Sequence, residues 1–157
     1  MKLVVFCLFA VCCCSVASRS TGSIDKTQQR RKLQEVLRQL KAVKDIIPLS
    51  EGMLNTPPNN IEDCCCLSAL QCFRANLQVQ FNMTERHQSK LYRSLRNPIT
   101  ESGLDFCNSQ DVTSTCQDCT SHPKENAKEF FNRLESLIQR VRRSPSLFYC
   151  SIRKRWL

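Results

Sequence analysis

Glycine and acidic side chains are both scarce in this chain of 157 residues. Only three glycines are present, and this scarcity disfavours a turn-rich all-β fold, whose tight turns usually need more of them. The 14 acidic side chains face 23 basic ones, which gives a formal net charge of +9. A strongly basic chain favours an acidic partner surface, a sulfated glycan or nucleic acid as its binding partner.

Catalytic signatures are missing as well. The sequence contains no glycine-rich phosphate loop, no G-x-S-x-G and no H-E-x-x-H. A secreted phospholipase of the A2 type would need a His-Asp pair beside its helical cysteines. Leu67-Ser68-Ala69 stands at that place instead. We therefore expect no enzymatic activity and no cofactor.

The one long apolar run lies at the N-terminus, where Lys2 precedes the uncharged residues 3–16. Small residues follow, and this order is typical of a secretory signal peptide cleaved after Ala17 or Ser18. The run is short for a membrane span, and no second run of spanning length follows it. The sequence thus predicts a signal peptide over residues 1–17 and a secreted chain without membrane insertion. An uncleaved anchor is the alternative.

Cleavage there removes four of the twelve cysteines and leaves an even set of eight. In the oxidising secretory pathway, an even set favours disulfide bonds over metal or redox chemistry. The C-x-x-C of Cys116 and Cys119 lacks the strand-helix setting of a redox motif, and neither histidine has zinc-finger spacing. We therefore predict structural disulfides and no metal site. The eight are Cys64, Cys65, Cys66, Cys72, Cys107, Cys116, Cys119 and Cys150.

Four segments have apolar residues at steps of three and four, the spacing of one helix face. The first covers about residues 28–47 and should end at Pro48. The second begins in the cysteine-rich stretch at residues 63–66, and its end is not defined because residues 77–83 alternate like a strand. The third covers about residues 85–96.

The fourth helix is predicted to begin near Pro123, with Glu125 in its first turn and an apolar stripe that continues to Val141. Residues 99–121 are rich in Ser, Thr, Asp and Asn, which predicts a long crossover loop. Long connections after the first and third helices allow parallel neighbours. The predicted fold class is therefore all-α, a four-helix bundle with up-up-down-down topology. It would occupy residues 18–143, followed by a basic tail.

Helix geometry restricts how the cysteines can pair. Cys65 and Cys72 are seven residues apart, about two helical turns, and so share one face. Cys116 and Cys119 are three residues apart in a segment that could run beside that face. Two nearly parallel bridges, Cys65–Cys116 and Cys72–Cys119, would tie the second helix to the connection before the fourth. The cysteine count alone does not assign this pairing.

The C-x6-C spacing with "LSALQCF", and the later C-x2-C followed by "KEFFNRLESLIQRV", resemble the short-chain cytokines of the interleukin-2, interleukin-15 and interleukin-21 group. The first helix, the third-helix segment "ERHQSKLYRSLR" and the basic charge are most similar to the interleukin-21 branch. The interleukin-15 branch is the near alternative, because its second-helix cysteines and "KEF" fourth helix are also similar. The resemblance implies a cytokine that bridges two receptor chains and triggers JAK-STAT signalling in lymphocytes.

The resemblance also implies where the receptors bind. In this family the common gamma chain meets the first and fourth helices near a late glutamine, which corresponds to Gln139. Arg142, three residues later, is a second candidate for the gamma-chain contact, at a position where the interleukin-21 branch has an apolar residue. In that branch the private receptor, an interleukin-21-type receptor, meets the first and third helices. The candidate residues for this private-receptor contact are Arg31, Glu35, Arg38, Lys90 and Arg93. For each of them, the alternative is that the side chain is an ordinary solvated charge without a receptor contact.

Four cysteines have no counterpart in the two-bridge pattern, namely Cys64, Cys66, Cys107 and Cys150. Together they would form two further bridges within a monomer, which is the expected state. An unpaired thiol would instead link two chains. Asn82-Met83-Thr84 is a sequon that predicts N-glycosylation in a secreted chain.

The C-terminal region is strongly basic. Residues 140–143 have the dibasic form that secretory proteases cleave, although a helical backbone would resist cleavage there. Residues 144–157 add three more basic side chains and no acidic one. Heparan sulfate is therefore a candidate partner, whereas nucleic acid is not expected for a secreted chain. A host-defence protein that acts on anionic membranes is the alternative function.

Overall fold

The structure is a computed structural model that describes residues 26–47, 52–81, 84–105 and 115–143. The predicted signal peptide, Asn82, Cys107, Cys150 and the basic tail lie outside these ranges. The described elements are helices α1 (Lys26–Ile46), α2 (Cys66–Gln80), α3 (Arg86–Leu95), α4 (Pro98–Leu104) and α5 (Ala127–Arg143), strands β1 (Met53–Asn55) and β2 (Lys124–Asn126), and 3-10 turns at Asp63–Cys65 and Cys119–Ser121.

Polar contacts show that α1 and α5 are antiparallel. Near the end of α1, Lys44 Nζ donates to Asn132 Oδ1 in the first half of α5, at 2.9 Å. Near the end of α5, Arg142 Nη1 donates to Gln34 Oε1 in the first half of α1, at 2.6 Å. The two contacts join opposite ends of the helices, so the chain directions must be opposed.

Helix α2 is also antiparallel to α5. Phe81, just past the end of α2, packs against Phe131 near the start of α5, with 5.4 Å between the ring centroids. At the other end, Arg140 Nη2 lies 3.1 Å from Cys66 Sγ. Since α1 and α2 both oppose α5, they run parallel to each other. This arrangement requires the long first connection that the sequence predicts.

Helix α3 runs opposite to α1. His87, at its start, lines one depression with Gln39, whereas Arg93, near its end, lines another with Lys32. The four long helices therefore form the predicted up-up-down-down bundle. The short connection between α2 and α3 suits antiparallel neighbours, and the long connections serve the parallel pairs.

The core consists of the apolar positions whose spacing predicts the helices. In α1, Leu33, Val36, Leu40 and Val43 are each at most 1% exposed. At the centre, the Phe130 ring meets another ring in α2, that of Phe73, edge to face at a centroid distance of 5.1 Å. Burial of these apolar faces is the main stabilising contribution to a bundle of this kind.

Helix α4 was not predicted, because its residues were assigned to the crossover loop. Asn97 caps it, since its Oδ1 accepts a hydrogen bond from the Ile99 N–H at 2.9 Å. Pro98 occupies the first turn, where its missing N–H is not needed. Arg74 of α2 forms an ion pair with Glu101 of this helix. The polar composition was therefore misleading, and this segment packs on the bundle.

The fourth helix of the bundle, α5, begins at Ala127 and not near Pro123. The preceding residues form β2, which pairs antiparallel with β1 so that Glu125 lies opposite Leu54. Asn126 caps α5, because its Oδ1 accepts from the Glu129 N–H at 2.9 Å. The prediction that Glu125 lies in the first helical turn is thus wrong. The strand pair joins the two long connections of the bundle to each other.

Candidate functional site

Two disulfides hold α2 against the segment that leads into β2. The bonds Cys65–Cys116 and Cys72–Cys119 are the predicted ones, with Cα–Cα distances of 5.5 and 5.1 Å. Asn76 supports the second bond, because its Nδ2 donates to the Cys72 carbonyl at 3.0 Å. The bridges therefore determine where the last connection lies and, through it, where α5 begins.

The extra cysteines do not all pair. Cys64 is disulfide-bonded, whereas Cys66 is free and fully buried. Burial raises the pKa of the Cys66 thiol, and the positive charge of Arg140 opposes this rise. The prediction of two further bridges is therefore wrong for Cys66, whose side chain packs into the core. Because the thiol is buried, it does not link two folded chains either.

Arg140 fastens the end of α5 to the first long connection. Its Nη1 donates to the carbonyl oxygens of Ile61, at 2.9 Å, and Asn59, at 3.3 Å. The backbone is helical as far as Arg143, the last residue described in this part of the chain. The dibasic sequence thus lies on an ordered helix whose first arginine is engaged in tertiary contacts.

Four of the five private-receptor candidates lie on the surface between α1 and α3. One depression of about 520 Å³ there includes Glu35, Arg38 and Lys90, and an adjoining one of about 480 Å³ includes Lys90 and Arg93. We call these two depressions together the α1–α3 groove. Its charged and polar lining consists of Lys32, Glu35, Arg38, Gln39, Arg86, His87, Lys90, Arg93, Ser94 and Asn97.

Within the described ranges, Glu35 is the one acidic residue that lines the α1–α3 groove. Lys32 Nζ donates to its Oε2 at 3.1 Å, and Gln39 Nε2 donates to its Oε1 at 2.7 Å. The hydrogen bond from Lys32 lowers the pKa of Glu35, and together with smaller effects of nearby donors and cations it outweighs the opposing effect of burial. Gln39 is only 8% exposed, and its Oε1 has no hydrogen-bond partner in the described part of the chain. The groove keeps an excess of positive charge, which suits an acidic protein surface.

Sequence reasoning missed Arg86, although a signal was present. Arg86, Lys90 and Arg93 are spaced by four and three residues, so they lie on one face of α3. The three cations line the same depression as Lys32 of α1. Their shared helical face, taken with the predicted role of the third helix, would have identified Arg86 as a further candidate.

Arg31 lies on a different surface from the other candidates. It lines a depression of about 870 Å³ between α1 and α5, which we call the α1–α5 groove. Arg38 borders both grooves, because it projects from the ridge of α1 that separates them. The lining of the α1–α5 groove consists of Lys26, Thr27, Arg30, Arg31, Gln34, Arg38 and Arg142.

Gln139 lies at the seam of α1 and α5. Its Nε2 donates to Glu135 Oε1 at 3.0 Å, and the other oxygen of that carboxylate accepts from Lys44. Lys44 also donates to Asn132 Oδ1 at 2.9 Å. A polar network thus crosses between the two helices and positions the glutamine amide. Sequence spacing could not reveal Lys44, because its partners are far away along the chain.

Arg142 has a structural reason to be polar. Its Nη1 donates to Gln34 across the same pair of helices, and its Nε is shielded from solvent without a hydrogen-bond partner in the described residues. Arg142 therefore connects α1 and α5 through a side-chain hydrogen bond. An apolar residue at the same place would connect them through hydrophobic contact. Arg142 also adds a positive charge to the surface beside Gln139.

A further depression of about 640 Å³ lies beside the Cys65–Cys116 bond and includes His122. The His122 side chain is buried, with a residue exposure of 5%, and its Nδ1 has no hydrogen-bond partner in the described ranges. Burial lowers the pKa of His122. No three His, Cys, Asp or Glu side chains come together as a metal site among the residues that the structure describes.

Acidification is expected to destabilise the protein through His122. Its pKa lies below the ordinary 6.5 in the folded state, so between these two values the unfolded chain binds a proton that the folded chain does not. Stability is therefore complete above about pH 6.5 and falls as the pH drops towards the lowered value. Urea denaturation at about pH 7.5 and about pH 5 should show this loss.

The variant His122→Gln should show a weaker loss of stability on acidification, because the titrating ring is gone. His87→Gln is the matched control, since His87 is exposed on α3. The control should keep the wild-type dependence on pH. An unchanged pH dependence in His122→Gln would contradict the assignment.

The comparison with protein families gives one match that spans most of the chain. The model of the family described as Interleukin 15 matches residues 8–142. This range contains α1 to α4 completely, both disulfides and both grooves. Among the described residues, no helix is both long enough and apolar enough to cross a membrane.

Proposed function

The chain belongs to the interleukin 15 family of four-helix cytokines, and from this membership we propose that it is a secreted ligand that pairs two receptor chains. It would act by bringing the intracellular kinases of those chains together, which starts JAK-STAT signalling in lymphocytes, and it would do so without catalysis. The single observation that supports this best is the bundle itself, which has two polar grooves on either side of α1.

The private receptor would bind the α1–α3 groove. Four of the residues implied by the resemblance converge there, and Arg86 and Lys32 add further positive charge. We propose an interleukin-21-type receptor, because the first helix, the third helix and the basic charge are most similar to that branch. The alternative is the private receptor of the interleukin-15 branch, and direct binding distinguishes the two.

The common gamma chain would bind the α1–α5 seam at Gln139. The amide is held by Glu135, which in turn is held by Lys44, so its position is set before binding. A preorganised polar group loses less conformational entropy on association than a mobile one. The seam and the α1–α3 groove lie on opposite sides of the α1 ridge, so two receptor chains can bind at once.

Packing argues against the membrane-active alternative. A helix that binds in a membrane interface must expose its apolar face to lipid. The apolar faces of α1 and α5 are buried in the core, where Leu40 and Ile138 are 0% exposed. We further propose a cleaved signal peptide, a monomeric state and a glycan at Asn82, each of which intact mass and sedimentation of the secreted protein would test.

The deciding experiment is binding of the refolded chain to immobilised ectodomains of the two private receptors and of the common gamma chain. The proposal expects tight binding to the interleukin-21-type receptor, followed by recruitment of the gamma chain. Binding to the interleukin-15 private receptor alone would move the chain to the other branch. An oxidised, helical sample that binds none of them would overturn the receptor function.

The variant Gln139→Asp is expected to weaken gamma-chain recruitment at least about tenfold, which corresponds to about 1.4 kcal/mol. The new carboxylate faces Glu135 one helical turn away, and the amide donor is lost. Binding to the private receptor should not change. Surface plasmon resonance with each ectodomain measures both affinities.

The matched control is Gln71→Asp, which makes the same substitution at an exposed position of α2. It should leave both affinities unchanged. Equal losses in the two variants would show that charge alone, and not the position of Gln139, determines the effect.

A further inference from the structure

The residues that line the α1–α5 groove are all of polar or charged type, and those that carry a charge are all cationic, although the aliphatic stems of these side chains form much of the exposed surface. Five of the seven side chains are cationic and none is acidic. Four of the five are arginines, whose planar guanidinium groups bind sulfate and phosphate oxygens in bidentate fashion. The groove is therefore built for an anion with several charged oxygen groups.

The cations of α1 lie along the groove in the direction of the helix axis. Arg31 and Arg38 are seven residues apart with Gln34 between them, so all three share one face. From Lys26 to Arg38 the helix rises about 18 Å. The groove thus offers a row of charges, which suits an extended polyanion better than a single small anion.

Helix α5 adds a positive charge to the groove from its C-terminal turn. Arg142 reaches the groove from the last turn of α5, where Gln34 orients its guanidinium.

The chemistry of the lining selects the kind of partner. The centre of a protein–protein interface usually contains apolar or aromatic anchor residues, and none of the seven lining residues is of that type. We propose that the α1–α5 groove binds a sulfated glycan chain lengthwise along α1. The glycan site is thereby placed between α1 and α5, whereas charge counting in the sequence had placed it on the arginines of residues 140–143 together with the C-terminal tail.

A bound glycan would affect receptor pairing, a consequence that rests on the proposed function. Arg142 is three residues beyond Gln139, about one helical turn, so a glycan in the groove covers the edge of the proposed gamma-chain contact. The α1–α3 groove remains open on the other side of α1 except at Arg38, which borders both grooves. Glycan-bound cytokine would therefore bind its private receptor but fail to recruit the gamma chain.

Heparin affinity tests the site with a matched pair of variants. The groove variant R30A/R31A/R142A and the control R86A/K90A/R93A each remove three positive charges, from the α1–α5 and α1–α3 grooves respectively. The groove variant should bind a heparin oligosaccharide at least about tenfold more weakly than wild type, and the control should stay within about threefold. Circular dichroism should confirm that both variants are folded.

A third protein, truncated after Arg143, tests the tail as the rival site. It should bind heparin with nearly the wild-type affinity. Loss of binding on truncation, equal losses in both triple variants, or no heparin binding by the wild-type chain would each overturn the proposal.

A competition experiment separates the glycan site from the receptor function. Cytokine saturated with the heparin oligosaccharide is passed over the private receptor and then over the gamma chain. If the glycan-bound cytokine still binds the private receptor but no longer recruits the gamma chain, the result supports the proposal that the glycan blocks the gamma-chain contact. Unaffected recruitment of the gamma chain overturns it. If the glycan-free cytokine binds no receptor, the proposed function fails while the heparin result with the variants still stands.

Discussion

Substitution of all four bridging cysteines, C65A/C116A with C72A/C119A, is expected to unfold most of the protein at physiological temperature. The combined loss should be at least about 5 to 7 kcal/mol. This is as large as the whole free energy of unfolding of many domains, about 5 to 15 kcal/mol. The reason is that the bridges close loops with sequence separations of 51 and 47 residues.

Removal of either bridge alone should lower the free energy of unfolding by much less, about 2.5 to 3 kcal/mol. The cysteines of the two bridges are seven residues apart in one segment and three in the other. The remaining bond therefore still holds the same two segments together, and only a short additional loop is released. Urea denaturation followed by circular dichroism measures all three variants.

Peptide mapping by mass spectrometry under non-reducing conditions serves as the control, because it shows which cysteines remain joined in each single-bridge variant. Alanine is the replacement of choice at Cys72, which is buried, since serine would bury an unsatisfied hydroxyl. If removal of one bridge lowered the free energy of unfolding as much as removal of both, the remaining bond would not be holding the two segments together.

Phe130→Ala is the point substitution from which we expect the largest loss, about 3 to 5 kcal/mol. The Phe130 ring is 0% exposed and contacts two other rings edge to face, with centroid distances of 5.1 Å to Phe73 and 5.3 Å to Phe131. Truncation would leave a cavity between α2 and α5. Because rigid helices surround it, the cavity cannot collapse completely.

Phe81→Ala is the matched control for the loss of an aromatic ring. Phe81 is only half-buried and meets one ring, that of Phe131, at 5.4 Å. The Phe81→Ala substitution should lower the free energy of unfolding by less than half as much as Phe130→Ala, because part of the Phe81 ring already contacts water. Denaturant midpoints of the two variants compare them directly. Equal losses would contradict the assignment of Phe130 to the centre of the core.

The two sides of α1 have different chemistry, and this difference links the receptor proposal to the glycan proposal. The α1–α3 side holds Glu35 among its cations, whereas no acidic side chain lines the α1–α5 groove among the residues that the structure describes. Arg38 borders both sides. A substitution at Arg38 is therefore a poor probe of either surface, and Arg31 and Arg93 are better ones because each lines one groove alone.

The sequence by itself determined the four long helices and the two bridges. Helix periodicity and the C-x6-C and C-x2-C spacings are local properties, because they depend on residues only a few positions apart. The buried faces of α1 and α5 and both disulfides could therefore be predicted from the amino-acid sequence alone. The family resemblance added the likeness of Gln139 to a receptor-binding glutamine, and the structure places that residue at the seam of α1 and α5.

Only the tertiary structure decided the features that depend on partners distant in sequence. Strand β2 replaces the predicted first turn of the last helix, because its backbone pairs with β1 about seventy residues earlier. Cys66 stays free because α2 turns its side chain into the core, and Arg31 separates from Lys90 because α1 lies between α3 and α5. A one-dimensional pattern shows which residues share a helix face, but which neighbour that face meets is decided by the packing of the whole bundle.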